Sequence, residues 1–203
     1  MKKTIFTGSA TAIVTPMNPD GSVNEARFRD LVEEQISGGI DALVVCGTTG
    51  ESAVLSHEEH VRVIQIAVEQ NKGRVPIIAG TGSNDTAYAV KLSKEAIELG
   101  ADALLMVTPY YNKATQKGLI KMYEIIADVS TKPLILYNVP SRTGVNIKPE
   151  TYAELAKHKN IVGIKEASGN ISQIAEICAL CGDEMDIYSG NDDQIVPILS
   201  LGG

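Results

Sequence analysis

Ile161-Val162-Gly163-Ile164 is a short, β-branched run without polar alternation, ended by Lys165 within a strand candidate that spans Ile161–Glu166. Such a run suits a strand buried on both faces of a parallel sheet. An ammonium group at the mouth of that strand is costly to desolvate, so its pKa falls toward neutrality. A partly neutral lysine is a nucleophile for a carbonyl carbon, and the product is a Schiff base. The bland alternative is a strand-end lysine that snorkels into water. The remainder of the chain decides between them.

Similar apolar runs recur on either side, at Ala10–Thr15, Asp41–Cys46, Pro76–Ala79, Ala101–Thr108, Pro133–Asn138 and Asp186–Ser189. Helical patterns lie between them, at Asn24–Ser37, Ser56–Asn71, Asp85–Leu99, Gln116–Ser130, Pro149–Lys157, Asn170–Cys181 and Asp193–Leu201. Ser56-His57-Glu58-Glu59 is a capping box, and Asp85 and Asn170 are good N-caps. Gly38-Gly39, Gly73 and Gly100 sit just past helix ends, where a left-handed residue is wanted. A recurring strand-helix unit means an α/β fold with a parallel sheet and right-handed crossovers.

An open doubly wound sheet and a closed (β/α)8 TIM barrel both satisfy that pattern. No G-x-G-x-x-G follows the first strand, which runs instead into Thr15-Pro16-Met17-Asn18-Pro19. Polar and unusual residues cluster after nearly every strand, as they do where a barrel spreads its site over many loops. The expectation is a single barrel domain over residues 1–203. Seven strands are visible, whereas a complete barrel has eight within about 250 residues. The barrel is therefore expected to be truncated before its eighth strand and C-terminal helices.

A net charge of −7 argues against a nucleic-acid partner or an anionic membrane surface. No segment approaches the length of a membrane span. Met1-Lys2-Lys3-Thr4-Ile5-Phe6 faintly imitates a leader, but Thr7, Gly8, Ser9 and Thr11 break any apolar core region, so a cytoplasmic location is expected. Three cysteines do not make a disulfide framework, and Cys178-x-x-Cys181 lies within a helical pattern, where packing is the expectation. His57 and His60 fall at i and i+3 with no carboxylate or cysteine to complete a set, so no metal is expected.

Other candidate residues follow the strands. Gly47-Thr48-Thr49-Gly50-Glu51 can turn tightly, hold a carboxylate on exposed N–H groups and supply two hydroxyls. An ordinary βα turn reads the same way. Gly80-Thr81-Gly82-Ser83-Asn84 is a weaker version. Tyr137 ends the strand before that of Lys165, so a phenol can shuttle protons beside the amine. In Tyr137-Asn138-Val139-Pro140-Ser141-Arg142-Thr143-Gly144, Arg142 offers a bidentate fork to a carboxylate, or a surface ion pair. Tyr110 and Tyr111 are adjacent and so point opposite ways. Gly190, in Ser189-Gly190-Asn191-Asp192, permits close approach to a ligand.

Gly47–Glu51, Tyr137–Gly144 and Gly163–Ala167 together resemble the motifs of the pyruvate-dependent class I aldolase family that includes N-acetylneuraminate lyase. The likeness runs from near Phe6 to Gly203. It implies that Lys165 forms the pyruvate imine, that Tyr137 shuttles protons through Thr48 to Tyr111, and that Thr48 and Thr49 hold the pyruvate carboxylate. Members that join pyruvate to aspartate semialdehyde, on the route to diaminopimelate and lysine, carry an arginine where Arg142 stands. Sugar-acid lyases generally lack it. No metal or organic cofactor is implied, because the imine is the electron sink. The resemblance also implies a homo-oligomer, usually a dimer of dimers, in which Tyr111 enters a neighbour's site. Ser52, Ala53, His57, His60, Asn84 and Tyr110 match the family's lysine-effector positions. Tyr88 replaces a glutamate of lysine-sensitive members, which implies weak or absent inhibition. An aldolase for 2-keto-3-deoxy sugar acids and a non-catalytic barrel segment are the alternative readings.

Overall fold

The computed structural model describes Lys2 and residues 4–203; of the leader-like stretch, Met1 and Lys3 lie outside the described residues. The chain divides into two compact units that share one strand and one helix.

Residues Ile5–Thr81 and Lys91–Leu105 make the first unit. In chain order it holds β1 (Ala10–Ala12), α1 (Glu25–Ser37), β2 (Ala42–Val45), α2 (His57–Asn71), β3 (Ile77–Gly80), the later part of α3 (Thr86–Glu98) and the start of β4 (Ala103–Val107). All neighbouring strands are parallel, with Leu43 beside Ile77 and Ile78 beside Ala103. β2 and β3 are buried along their whole length, as unalternated runs require. β1 stops three residues short of the expected Thr15, although Ile13 N–H still reaches Val44 O at 3.0 Å. Pro16 has no N–H to continue the ladder. The Ser56 capping box closes reciprocally with Glu59, at 3.2 and 2.9 Å. Three arginine-glutamate pairs tie α1 to α2 and its C-terminal turn: Arg62–Glu25, Arg29–Glu69 and Arg74–Glu33.

The second unit comprises Lys2 and Thr4, Gly82–Val90 and Met106–Gly203. It holds the end of β4, then α4 (Gln116–Val129), β5 (Leu134–Asn138), a four-residue α5 (Pro140–Thr143), α6 (Pro149–Leu155), β6 (Ile161–Glu166), α7 (Ile171–Cys181), β7 (Asp186–Ser189) and α8 (Ile195–Ser200). The strand order β1 to β7 follows the chain order. β6 and β7 match their expected bounds. Ile161 and Ile164 are fully buried, a contribution of roughly 1.5–3 kcal/mol each. Asn170 caps α7 by accepting from Gln173 N–H at 3.1 Å. Cys181 packs inside that helix, its thiol directed at Ile177 O. The final helical stretch divides into a 3₁₀ turn, Asp192–Gln194, followed by α8. The Lys2 ammonium donates to the carbonyls of Ala156, His158 and Ile161, which ends α6 and holds the start of β6. No described helix is long and apolar enough to cross a membrane.

Candidate active site

Register builds the site of the second unit. β5 and β6 pair with Tyr137 beside Lys165, and β6 and β7 pair with Lys165 beside Tyr188. Three strands thus present Tyr137, Lys165 and Tyr188 in a row. Lys165 Nζ lies 4.6 Å from the centre of the Tyr137 ring. Tyr137 is only 7% exposed. Burial pulls the Lys165 amine below its ordinary pKa. The amine is thus half-buried against a phenol ring, and burial favours its neutral, nucleophilic form.

Gly190 closes this row from the turn after β7. Its N–H donates to Glu166 O at 2.7 Å. A Cβ there would stand 2.9 Å from Ala167 Cβ and 3.3 Å from Lys165 Cε. The glycine therefore lets the turn lie against the lysine stem.

Arg142 sits on α5, which sequence reading did not separate from its loop. Its side chain is exposed, and among the described residues its guanidinium makes no ion pair. The surrounding loop is firmly held. Thr108 Oγ1, at the end of β4, donates to Thr143 Oγ1 at 2.9 Å, and Thr143 Oγ1 is 3.1 Å from Val145 O. On the opposite face of β5 and β6, Asn138 pairs in register with Glu166. The Glu166 carboxylate accepts from Ser168 N–H at 2.7 Å, from Asn138 Nδ2 at 3.1 and 3.2 Å, and from Tyr152 OH at 3.3 Å. Burial pushes the Glu166 carboxyl upward in pKa, against the pull of those donors. Thr108, Asn138 and Glu166 were not recognised from the sequence, although period-two alternation alone puts Asn138 and Glu166 on one face.

Tyr110 and Tyr111 diverge as adjacency demands. Tyr111 is 92% exposed with a left-handed φ of 69°. Tyr110 is half-buried, and its carbonyl accepts from Asn84 Nδ2 at 3.2 Å. Asn84 and Tyr110 are thereby brought together, with Tyr88 half-buried on α3 nearby in sequence.

Thr48 and Thr49 belong to the first unit, in the turn after β2. Both are exposed, and among the described residues no hydrogen bond engages either hydroxyl. The turn differs from expectation in one respect. Its left-handed residues are not glycines but Cys46 (φ 54°) and Glu51 (φ 57°). Gly50 serves close packing instead, since a Cβ there would meet Ile13 O at 3.1 Å. Thr15 Oγ1 fastens the turn by donating to Gly50 O at 2.7 Å.

Ser52 and Ala53 lie in the same connection. His57 pairs with Glu95 at 3.2 Å. His60 is buried and donates through Nε2 to Gly80 O at 2.8 Å, and burial lowers its pKa. Thr81 is likewise internal, bonded to Ser93 at 3.0 Å, so the Gly80–Asn84 turn is built for packing.

The sequence and the fold are both similar to those of known proteins. The model of the dihydrodipicolinate synthetase family matches residues 5–203. The 4-hydroxy-tetrahydrodipicolinate synthase of Trichlorobacter lovleyi is 57% identical over 198 residues, covering 98% of this chain and 68% of that protein. Its counterpart from Thermoanaerobacter sp. is 55% identical over 200 residues, with 98% and 67% covered. Among solved structures, the chloride-inhibited dihydrodipicolinate synthase of Acinetobacter baumannii in complex with pyruvate superposes with a TM-score of 0.95 at 48% identity. That match covers 98% of this chain and 68% of that one. The chain thus spans about two-thirds of the length of these relatives.

Proposed function

This chain belongs to the dihydrodipicolinate synthetase family, and from that premise we propose that it condenses pyruvate with L-aspartate-4-semialdehyde. The product is 4-hydroxy-tetrahydrodipicolinate, on the route to diaminopimelate and lysine. The observation that carries this reading is the Lys165 amine, half-buried and 4.6 Å from the Tyr137 ring centre.

The neutral amine adds to C2 of pyruvate, and water leaves as the imine forms. Loss of a proton from the methyl carbon gives an enamine, which attacks the aldehyde carbon of the second substrate. Tyr137 is placed to move those protons. The substrate's own amino group then displaces Lys165 and closes the ring. Arg142 takes the semialdehyde carboxylate, supported by its exposure and lack of an ion pair among the described residues. The family assigns the pyruvate carboxylate to Thr48 and Thr49, and a place in the proton relay to Thr48 and Tyr111. The imine supplies the electron sink, so the reaction needs no further cofactor.

Consecutive parallel strands support reading the sheet as part of a (β/α)8 barrel within one domain. The exposure of Tyr111 supports a homo-oligomer in which it serves a neighbouring copy. Lysine feedback would involve Ser52, Ala53, His57, His60, Asn84 and Tyr110, and Tyr88 predicts that it is weak; a lysine titration of the initial rate measures this directly. The principal test is borohydride reduction in the presence of pyruvate. A reduced pyruvate adduct on Lys165 is expected by peptide mass spectrometry, and an unmodified Lys165 in folded protein rejects the reading.

A further inference from the structure

Behind the lysine strand lies a polar layer that the reaction does not use. It starts at Asn138, whose orientation is fixed by a backbone donor: Ile147 N–H gives to Asn138 Oδ1 at 3.0 Å. Nδ2 must then face Glu166, and it also reaches Asn146 Oδ1 at 2.8 Å. Asn146 Nδ2 continues to Gln173 Oε1 on α7 at 2.7 Å. Asn138 and Glu166 are both fully buried. The Ser168 N–H, the Asn138 amide and the Tyr152 hydroxyl all donate to Glu166, so the layer is satisfied with a carboxylate at this place.

Two consequences follow from where these bonds land. The Asn138 side chain closes a loop from residue 138 to residue 147, and Arg142 stands in its middle. Asn138 and Glu166 are also the immediate neighbours of Tyr137 and Lys165, in the next register pair and on the reverse face. The layer therefore joins the arginine loop to the strand that carries the nucleophile.

We propose that Asn138 and Glu166 are positioning residues that hold the 139–147 loop so that Arg142 meets the carboxylate of the second substrate, and so set selectivity for that substrate. The proposal rests on the functional reading above. It concerns the acceptor aldehyde, not pyruvate, because the anchored segment carries Arg142.

The test is Asn138→Asp, which keeps the acceptor for Ile147 N–H but sets a carboxylate against Glu166. The KM for aspartate semialdehyde should rise roughly 10- to 100-fold, the usual effect of losing an orienting partner. Borohydride trapping of pyruvate on Lys165 should stay near the wild-type level. Adding Glu166→Gln restores a donor-acceptor pair and should recover most of the loss. In an Arg142→Ala background, Asn138→Asp should add little, since both act through one group. Should Asn138→Asp fail to fold, Asn146→Ala, at an exposed position, should give the same split to a smaller extent.

Equal loss of pyruvate trapping and semialdehyde use, or full additivity with Arg142→Ala, overturns the proposal. Amide exchange within 139–147 gives a readout free of substrate. It should quicken in Asn138→Asp and slow again in the double variant, and an unchanged loop would also overturn the anchor. A wild-type chain that forms no imine would instead reject the functional reading, while exchange would still decide the anchoring.

Discussion

A single amine carries the chemistry, and its surroundings make testable demands. Burial lowers the Lys165 pKa, so the neutral form gains population at lower pH than in an exposed lysine. The rate of imine formation should rise with pH and level off below the ordinary lysine range. A limb at or above that range would contradict the burial argument. The same burial opposes folding while the amine is charged. Because the folded-state pKa is depressed, the unfolded chain binds more protons between the two values, and stability rises with pH across that window. Lys165→Met should therefore abolish trapping yet raise Tm at neutral pH, with a smaller gain near the ordinary lysine pKa. Arg142→Ala should weaken semialdehyde use far more than pyruvate binding, and equal losses would remove its assigned role. Lys165 and Tyr137 could be singled out in the sequence because each is an unusual residue at a strand end, and Arg142 because it stands in the connection that follows one. Asn138 and Glu166 could not, because their importance comes from partners on α6 and α7 that no local pattern announces.

Among the elements, the turn after β7 is a sharp test of close packing. Gly190→Ala would bring a methyl to within 2.9 Å of Ala167 Cβ and 3.3 Å of Lys165 Cε. Overpacking of this kind costs about 1–3 kcal/mol, and trapping should slow with it, as denaturant melts and single-turnover trapping would measure. On the other unit, Arg74 holds the Glu33 carboxyl down to about 2. A depressed acid stabilises above its ordinary value and loses that contribution as pH falls through the folded one. The Tm difference between wild type and Glu33→Gln should be small, should close as pH drops from 4.5 toward about 2, and should shrink with added salt. Most elements were legible because buried parallel strands are unalternated and capping residues stand where physics wants them. α5 was not, since four residues after a proline carry no periodicity. β1 was drawn too long because Ile13–Thr15 are apolar or β-branched but leave the ladder before Pro16.

For the whole molecule, the exposed Tyr111 separates a self-sufficient copy from an assembly. If the phenol serves a neighbour, Tyr111→Phe and Lys165→Ala should each lower activity, yet subunits mixed at parity should regain about a quarter of the wild-type rate, as one intact site in half the dimers predicts. No recovery after mixing and refolding would confine Tyr111 to its own copy. The same register also limits what inheritance can alter in this chain. Lys165 and Glu166 are consecutive, and a strand turns consecutive side chains to opposite sides. Removing one codon upstream within β6 would exchange them, sending the ammonium among Asn138 and Tyr152 and the carboxylate to where the keto acid should bind. A comprehensive library across Ile161–Glu166 should thus recover conservative apolar replacements while returning no viable insertion or deletion.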